Sequence, residues 1–126
     1  LALPSEQPRS EYTLQMQGRG VFEFGTRIAP RVRALSGFET FDGMYIVPHQ
    51  ANIRMLHELI PTLKIKPEQL YSDGITRVGN ISGAACFMGL EDMVRRDLSH
   101  GAQTVVLCAF GAELQVAVAV LTRAEA

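Results

Sequence analysis

Two short strings in the chain hold residue types suited to stabilising negative charge on a carbonyl oxygen. Pro48-His49-Gln50 ends one short apolar run, and Gly79-Asn80-Ile81 follows another. A neutral imidazole and a side-chain amide both donate to a developing oxyanion or enolate without adding a full positive charge. A third turn, Phe110-Gly111, closes the apolar run that starts at Val105. If these runs are strands of one open sheet, all three turns fall outside strand C-termini, where α/β proteins bind ligands. The same residues also have plain structural uses: a histidine satisfied within its turn, and an asparagine that caps or takes the left-handed conformation.

The other reactive side chains read as structural. His57-Glu58 begins an HExxH pattern, but Pro61 stands where the second metal ligand would be, so no metal site is expected. His100 precedes Gly101 at an expected helix end, where an imidazole interacts favourably with the dipole. Cys86 lies early in the helix after Asn80, where a dipole lowers a thiol pKa, yet Ala84, Ala85 and Phe87 around it favour a small packed core residue. Cys108 sits inside an apolar run and is assigned to the core. Arg54, with Lys64 and Lys66 further along, either forms a modest positive region for an acidic partner or is ordinary helix solvation.

The elements that position these residues follow from the apolar spacing. Leu1 to Ser10 carries two prolines and no periodicity and reads as a linker or surface loop, so the domain is expected over residues 11–126. Tyr12, Leu14 and Met16 alternate as a strand. Val21, Phe24, Ile28, Val32 and Leu35 predict one amphipathic helix, kinked at Pro30 and ending near Gly37. Met44 to Val47 predicts a buried strand, and Ile53, Leu56, Ile60 and Leu63 a helix. Ile75 to Val78 predicts a further strand. A helix follows, with Ser82 as N-cap and Phe87, Leu90, Val94 and Leu98 on its buried face. Gln103 to Phe110 predicts a central strand, and Leu114 to Leu121 its neighbour across a turn at Gly111. The pattern is α/β, with a mixed, mostly parallel sheet of about five strands and helices packed on it.

Composition limits the function classes. The 126 residues, 47% hydrophobic and 20% charged, suffice for one domain that buries roughly two-thirds of its unfolded surface without a disulfide or metal. Twelve basic and thirteen acidic residues give a formal charge of -1, without the basic footprint of a nucleic-acid binder. Gly111, Glu113 and Gln115 interrupt the apolar stretch from Thr104 to Leu121, so it reads as two strands and not as a membrane span. No charged-then-apolar leader is read at the start, and neither cysteine has CxxC or Cys/His ligand spacing. A cytoplasmic, reducing location is expected.

The string Val47-Pro48-His49-Gln50-Ala51-Asn52-Ile53-Arg54, followed by Gly79-Asn80-Ile81-Ser82-Gly83-Ala84-Ala85, resembles the C-terminal half of the 3-ketoacyl-ACP synthase III family. The resemblance runs from about Leu14-Gln15-Met16-Gln17-Gly18 through Ala109-Phe110-Gly111-Ala112 to the last strand. It implies one half of a thiolase-like fold, no bound cofactor, and a role for His49 and Asn80 in binding the malonyl thioester carbonyl. In such an enzyme the two donors support decarboxylation and stabilise the enolate. The nucleophilic cysteine belongs to an N-terminal half that this chain lacks, so the chain alone should be inactive. The resemblance further implies that Arg54 contacts the acidic carrier protein, that Phe110 and Gly111 lie at the substrate beside that cysteine, and that the complete enzyme is a homodimer using ACP or CoA thioesters. Many relatives continue after Phe-Gly with another glycine and a Trp-Gly segment. Here Glu113 and Leu114 follow instead, which bears on acyl-pocket shape. Two other readings use the same residues: an acyltransferase of this fold with His49 as general base for an alcohol or amine, and a non-catalytic scaffold subunit.

Overall fold

A computed structural model describes residues 17–125; the expected linker over residues 1–10 and the strand around Tyr12, Leu14 and Met16 lie outside the described residues. The first described segment forms two helices, α1 (Gly18–Thr26) and α2 (Ala29–Ser36), where one kinked helix was expected. Pro30 stands in the first turn of α2. Its missing N–H is an orphan there anyway, so the proline starts a helix and does not bend one. Gly37 ends α2 at φ 78°, a left-handed cap that donates to Arg33 O.

Strand β1 (Tyr45–Pro48) leads into α3 (Ile53–Leu63). Asn52 caps α3 by accepting the Arg54 and Met55 N–H groups on its side-chain oxygen. The segment expected as a strand at Ile75–Val78 is instead helix α4 (Asp73–Val78). Its β-branched residues favour a strand only weakly, and three hydrogen bonds, one of them long-range, outweigh them. The Gln50 side-chain oxygen, from a distant turn, accepts the Ile75 N–H in the first turn of α4. Thr76 Oγ1 donates to Asp73 O, and Gly79 N–H to Ile75 O.

Helix α5 (Ala85–Arg96) has the expected period and a rotated phase. Its buried residues are Ala85, Cys86, Gly89, Asp92 and Met93, while Phe87 and Val94 are 72% and 69% exposed. Gly89 sets this phase, because a Cβ there would lie 2.7 Å from Val47 and 2.9 Å from the Tyr71 ring. Ser82 is not the cap: α5 starts from Ala84, and Ser82 takes φ 58° in the preceding turn. His100 stands beyond the helix end, whose last turn carries Arg95 and Arg96 instead.

Strands β2 (Thr104–Gly111) and β3 (Gln115–Thr122) complete a mixed sheet in the order β1-β2-β3. β1 runs parallel to β2, with Pro48 opposite Cys108, and β3 runs antiparallel to β2. Three strands, not five, are thus present among the described residues. Side chains alternate across the sheet with period two. Ile46, Val106, Cys108 and Phe110 join Leu56, Leu59 and other residues of α1–α3 in one core. Tyr45, Val47, Val105 and Leu107 face Tyr71 and Met93 on the other side. The result is a helix–sheet–helix sandwich with β2 central.

Candidate active site

Because β1 and β2 are parallel, their C-terminal ends reach the same edge, and His49 and Phe110 meet there. The His49 N–H donates to Cys108 O at 2.8 Å, continuing the ladder one residue past β1. Its ring stands edge-on to Phe110, with centroids 5.2 Å apart. Phe24 of α1 packs edge-on behind Phe110 at 6.4 Å. Half-buried in this apolar setting, His49 has its pKa lowered by desolvation, which favours the neutral imidazole at neutral pH. A neutral ring donates through one nitrogen only, the form suited to polarising a carbonyl.

Asn80 lies on the exposed loop between α4 and α5, after a helix and not after a strand. Its Oδ1 accepts the Ser82 N–H at 2.9 Å, an Asx turn. That bond engages the oxygen and leaves the amide NH2 to donate elsewhere. Both ends of the loop's supports are pinned to the edge that carries His49. Upstream, Ile75 donates to Gln50 Oε1 at 3.2 Å. Downstream, the Cys86 thiol faces Val47 O at 4.0 Å and Cys108 O at 3.6 Å.

Gly111 ends β2 and is exposed, next to a turn in which Glu113 and Leu114 take left-handed φ values of 58° and 56°. Arg31 donates to Leu114 O at 3.3 Å and lies 5.4 Å from the Phe24 ring centroid. Arg54 is exposed in the first turn of α3, one turn from His49 along the chain. The two cysteines are poor nucleophiles. Burial pushes Cys86 up to about 11 and Cys108 up to about 12, the latter with a contribution from Cys86.

Two residues of this region were not picked out by sequence reasoning. Gln50 is wholly buried, and its amide is fully used between Pro48, Tyr71 and Ile75. Asp92 is buried on α5 and accepts from Tyr71 Oη at 2.8 Å and Arg96 Nη1 at 3.0 Å, with Arg77 Nη1 as a third partner. Burial opposes its ionisation, but the bonds from Tyr71 and Arg96 and the charge of Arg77 outweigh it and lower its pKa. The i, i+3 and i, i+4 spacing of Asp92 to Arg95 and Arg96 was legible; the long-range partners were not. A depression of about 420 Å³ lined by Asp42, Tyr45, Gln69, His100 and Thr104 lies at the opposite, N-terminal edge of the sheet, and holds none of His49, Asn80, Phe110, Gly111 and Arg54. Among the described residues, no cluster of His, Cys, Asp and Glu could hold a metal ion, and no helix is long and apolar enough to cross a membrane.

Residues 34–123 match the family model of the 3-oxoacyl-[acyl-carrier-protein] synthase III C-terminal region. The chain belongs to this family. The synthase III C-terminal domain here is 32% identical over 123 residues to a beta-ketoacyl-[acyl-carrier-protein] synthase III of Clostridium novyi, covering 90% of this chain and 38% of that protein. A synthase III of Rhodopirellula baltica is 33% identical over 113 residues, 86% of this chain and 32% of its own length. In structure, the domain superposes on the synthase III of Thermus thermophilus with a TM-score of 0.77, at 32% identity, over 89% of this chain and 36% of that one. A priming beta-ketosynthase of the R1128 polyketide biosynthetic pathway gives 0.78 at 27% identity, over 92% and 39%. The chain thus spans about a third to two-fifths of the length of these relatives. Its fold is that of the C-terminal region of the synthase III family.

Proposed function

We propose that this chain supplies the carbonyl-binding half of a condensing enzyme that joins an acyl thioester to a malonyl thioester. What supports the reading is that His49 is fixed edge-on against Phe110 with a lowered pKa, and that the supports of the Asn80 loop, at Ile75 and Cys86, are bonded to the same sheet edge. Both side chains can donate to the thioester oxygen. As the C–C bond to the carboxylate breaks and CO2 leaves, the electron pair moves into the enolate, and negative charge gathers on that oxygen. Fixed donors there stabilise the transition state more than the ground state. The enolate carbon then attacks the acyl carbonyl held on a cysteine, and the cysteine thiolate leaves as the 3-ketoacyl thioester forms.

That cysteine is assigned to a partner region equivalent to the rest of the relatives' length, because Cys86 and Cys108 are buried with raised pKa values. The outward face of α5 supports such a region: Phe87 and Val94 lie there about seven-tenths exposed, seven residues apart on one helix side. On this reading the chain alone is inactive, Arg54 meets an acidic carrier protein, Phe110 and Gly111 border the acyl group, and the complete enzyme is a cytoplasmic homodimer. The test is malonyl-thioester decarboxylation by the chain assembled with its cysteine-bearing region. His49→Ala and Asn80→Ala should each lower kcat about 100- to 1,000-fold. Unchanged CO2 release in both would overturn the assignment, and acyl transfer without CO2 would point to an acyltransferase.

A further inference from the structure

Gln50 stands beside His49 in the sequence, yet its side chain turns inward and is completely buried. Its Nε2 donates to Pro48 O at 3.0 Å and to Tyr71 O at 3.1 Å, and its Oε1 accepts the Ile75 N–H at 3.2 Å. Two carbonyls on one side and an N–H on the other admit only one orientation of the amide. The three partners belong to three segments: the end of β1, the Leu70–Tyr71 segment beside it, and the first turn of α4. Asn80 follows α4 by two residues. α4 is in turn clamped to α5 by ion pairs near both ends, Asp73–Arg96 at 2.9 Å and Arg77–Asp92. These pairs add to the packing of α4 on the helix behind it.

We infer that Gln50 is a positioning residue that sets where the Asn80 loop stands relative to His49. It touches no substrate. One side chain ties the backbone that carries the histidine to the helix that leads into the asparagine loop, so on the upstream side the spacing of the two donors depends on this buried amide, as it does downstream on the Cys86 contacts. Gly74, next to Ile75, supports the same junction. A Cβ there would meet Gln50 Cγ and the Tyr71 ring at 3.2 Å and the terminal methyl of Met88 at 2.7 Å, so a side chain at this position would crowd the junction. The inference rests on the reading of His49 and Asn80 as paired donors.

The test is a double-mutant cycle with Gln50→Met, which keeps the length and removes all three bonds. Expected is a loss of about 10- to 100-fold in kcat for malonyl decarboxylation, with KM changed less than about 3-fold, because a displacement near 1 Å is enough for that loss. In an Asn80→Ala background the same substitution should cost under about 3-fold, since the group it positions is gone. Equal losses in both backgrounds would overturn the inference, because a purely structural role lowers both alike. A second readout needs no activity and uses this chain as it stands: amide exchange at Ile75 and Ser82 should rise at least about 10-fold in Gln50→Met while the β2 amides stay protected. Unchanged exchange at both amides overturns the coupling. Exchange that rises there while Asn80→Ala leaves decarboxylation intact instead overturns the paired-donor reading and keeps the mechanical link. If Gln50→Met does not fold, Gln50→Glu retains the oxygen facing Ile75, loses the NH2 that serves Pro48 and Tyr71, and carries the same cycle.

Discussion

Replacing Gly89 by alanine tests the spacing between α5 and the sheet, on which the placement of the Asn80 loop depends. Glycine in a helix interior is about 0.8–1 kcal/mol worse than alanine, so an exposed site would gain stability. At Gly89 the added methyl meets Val47 Cγ1 at 2.7 Å and Tyr71 Cε1 at 2.9 Å, where ordinary contact begins near 3.4 Å. Neither neighbour can give. Val47 is fully buried in β1, and Tyr71 is held through its hydroxyl by Asp92 at 2.8 Å. Overpacking costs about 1–3 kcal/mol, and two contacts below 3.0 Å against fixed neighbours place Gly89 at about 2–3 kcal/mol, which less the helix gain leaves a net loss of about 1–2 kcal/mol. At about 3–6 °C per kcal/mol, the melting temperature should fall by about 3–12 °C. Gly20→Ala in α1 provides the contrast, since nothing lies within 4 Å of the added methyl. It should hold or raise the melting temperature. Thermal unfolding followed by circular dichroism checks both, and a Gly89→Ala chain that melts at or above the parent would refute the packing argument.

Three further outcomes follow from buried groups. Asp92→Ala should destabilise the chain by about 1–3 kcal/mol in denaturant titration; the figure is below that for a wholly buried pair because Arg77 and Arg96 are partly exposed and can turn to water. The pKa of Asp92 is lowered on folding, so its contribution is present above the ordinary aspartate value of about 3.9 and is lost as pH falls through the folded value. The stability gap between parent and Asp92→Asn should therefore narrow below about pH 4, and a gap that stays constant would contradict this sign. Cys86 and Cys108, raised by burial to about 11 and about 12, should react with a thiol reagent at pH 8 only after denaturation; rapid labelling of the folded chain would count against their core assignment.

Much of the local order was legible from spacing alone. The α3 stripe, the β1 run ending at Pro48 and the apolar β2 run each became the expected element, because length, period and end signals agree in those segments. Ile75–Val78 misled because four β-branched-rich residues say little, while the bond that makes them helical comes from Gln50, 25 residues earlier. The face of α5 misled because the helix buries glycine and a charged residue. Hydrophobicity cannot announce Gly89 against Val47 or Asp92 among arginines.

By itself, the sequence determined the strings that carry His49 and Asn80, since motif residues and their order are read directly. It also determined a core that is α/β in pattern. Only the tertiary structure decided how those strings meet. Parallel pairing of β1 with β2 brings His49 to Phe110, a buried glutamine turns a strand-like segment into the helix that leads to Asn80, and α5 rotates Phe87 and Val94 outward. The physical reason is the same in each case: the deciding contacts join residues far apart in the chain, and local propensities of a few tenths of a kcal/mol yield to buried hydrogen bonds and close packing worth about 1 kcal/mol or more.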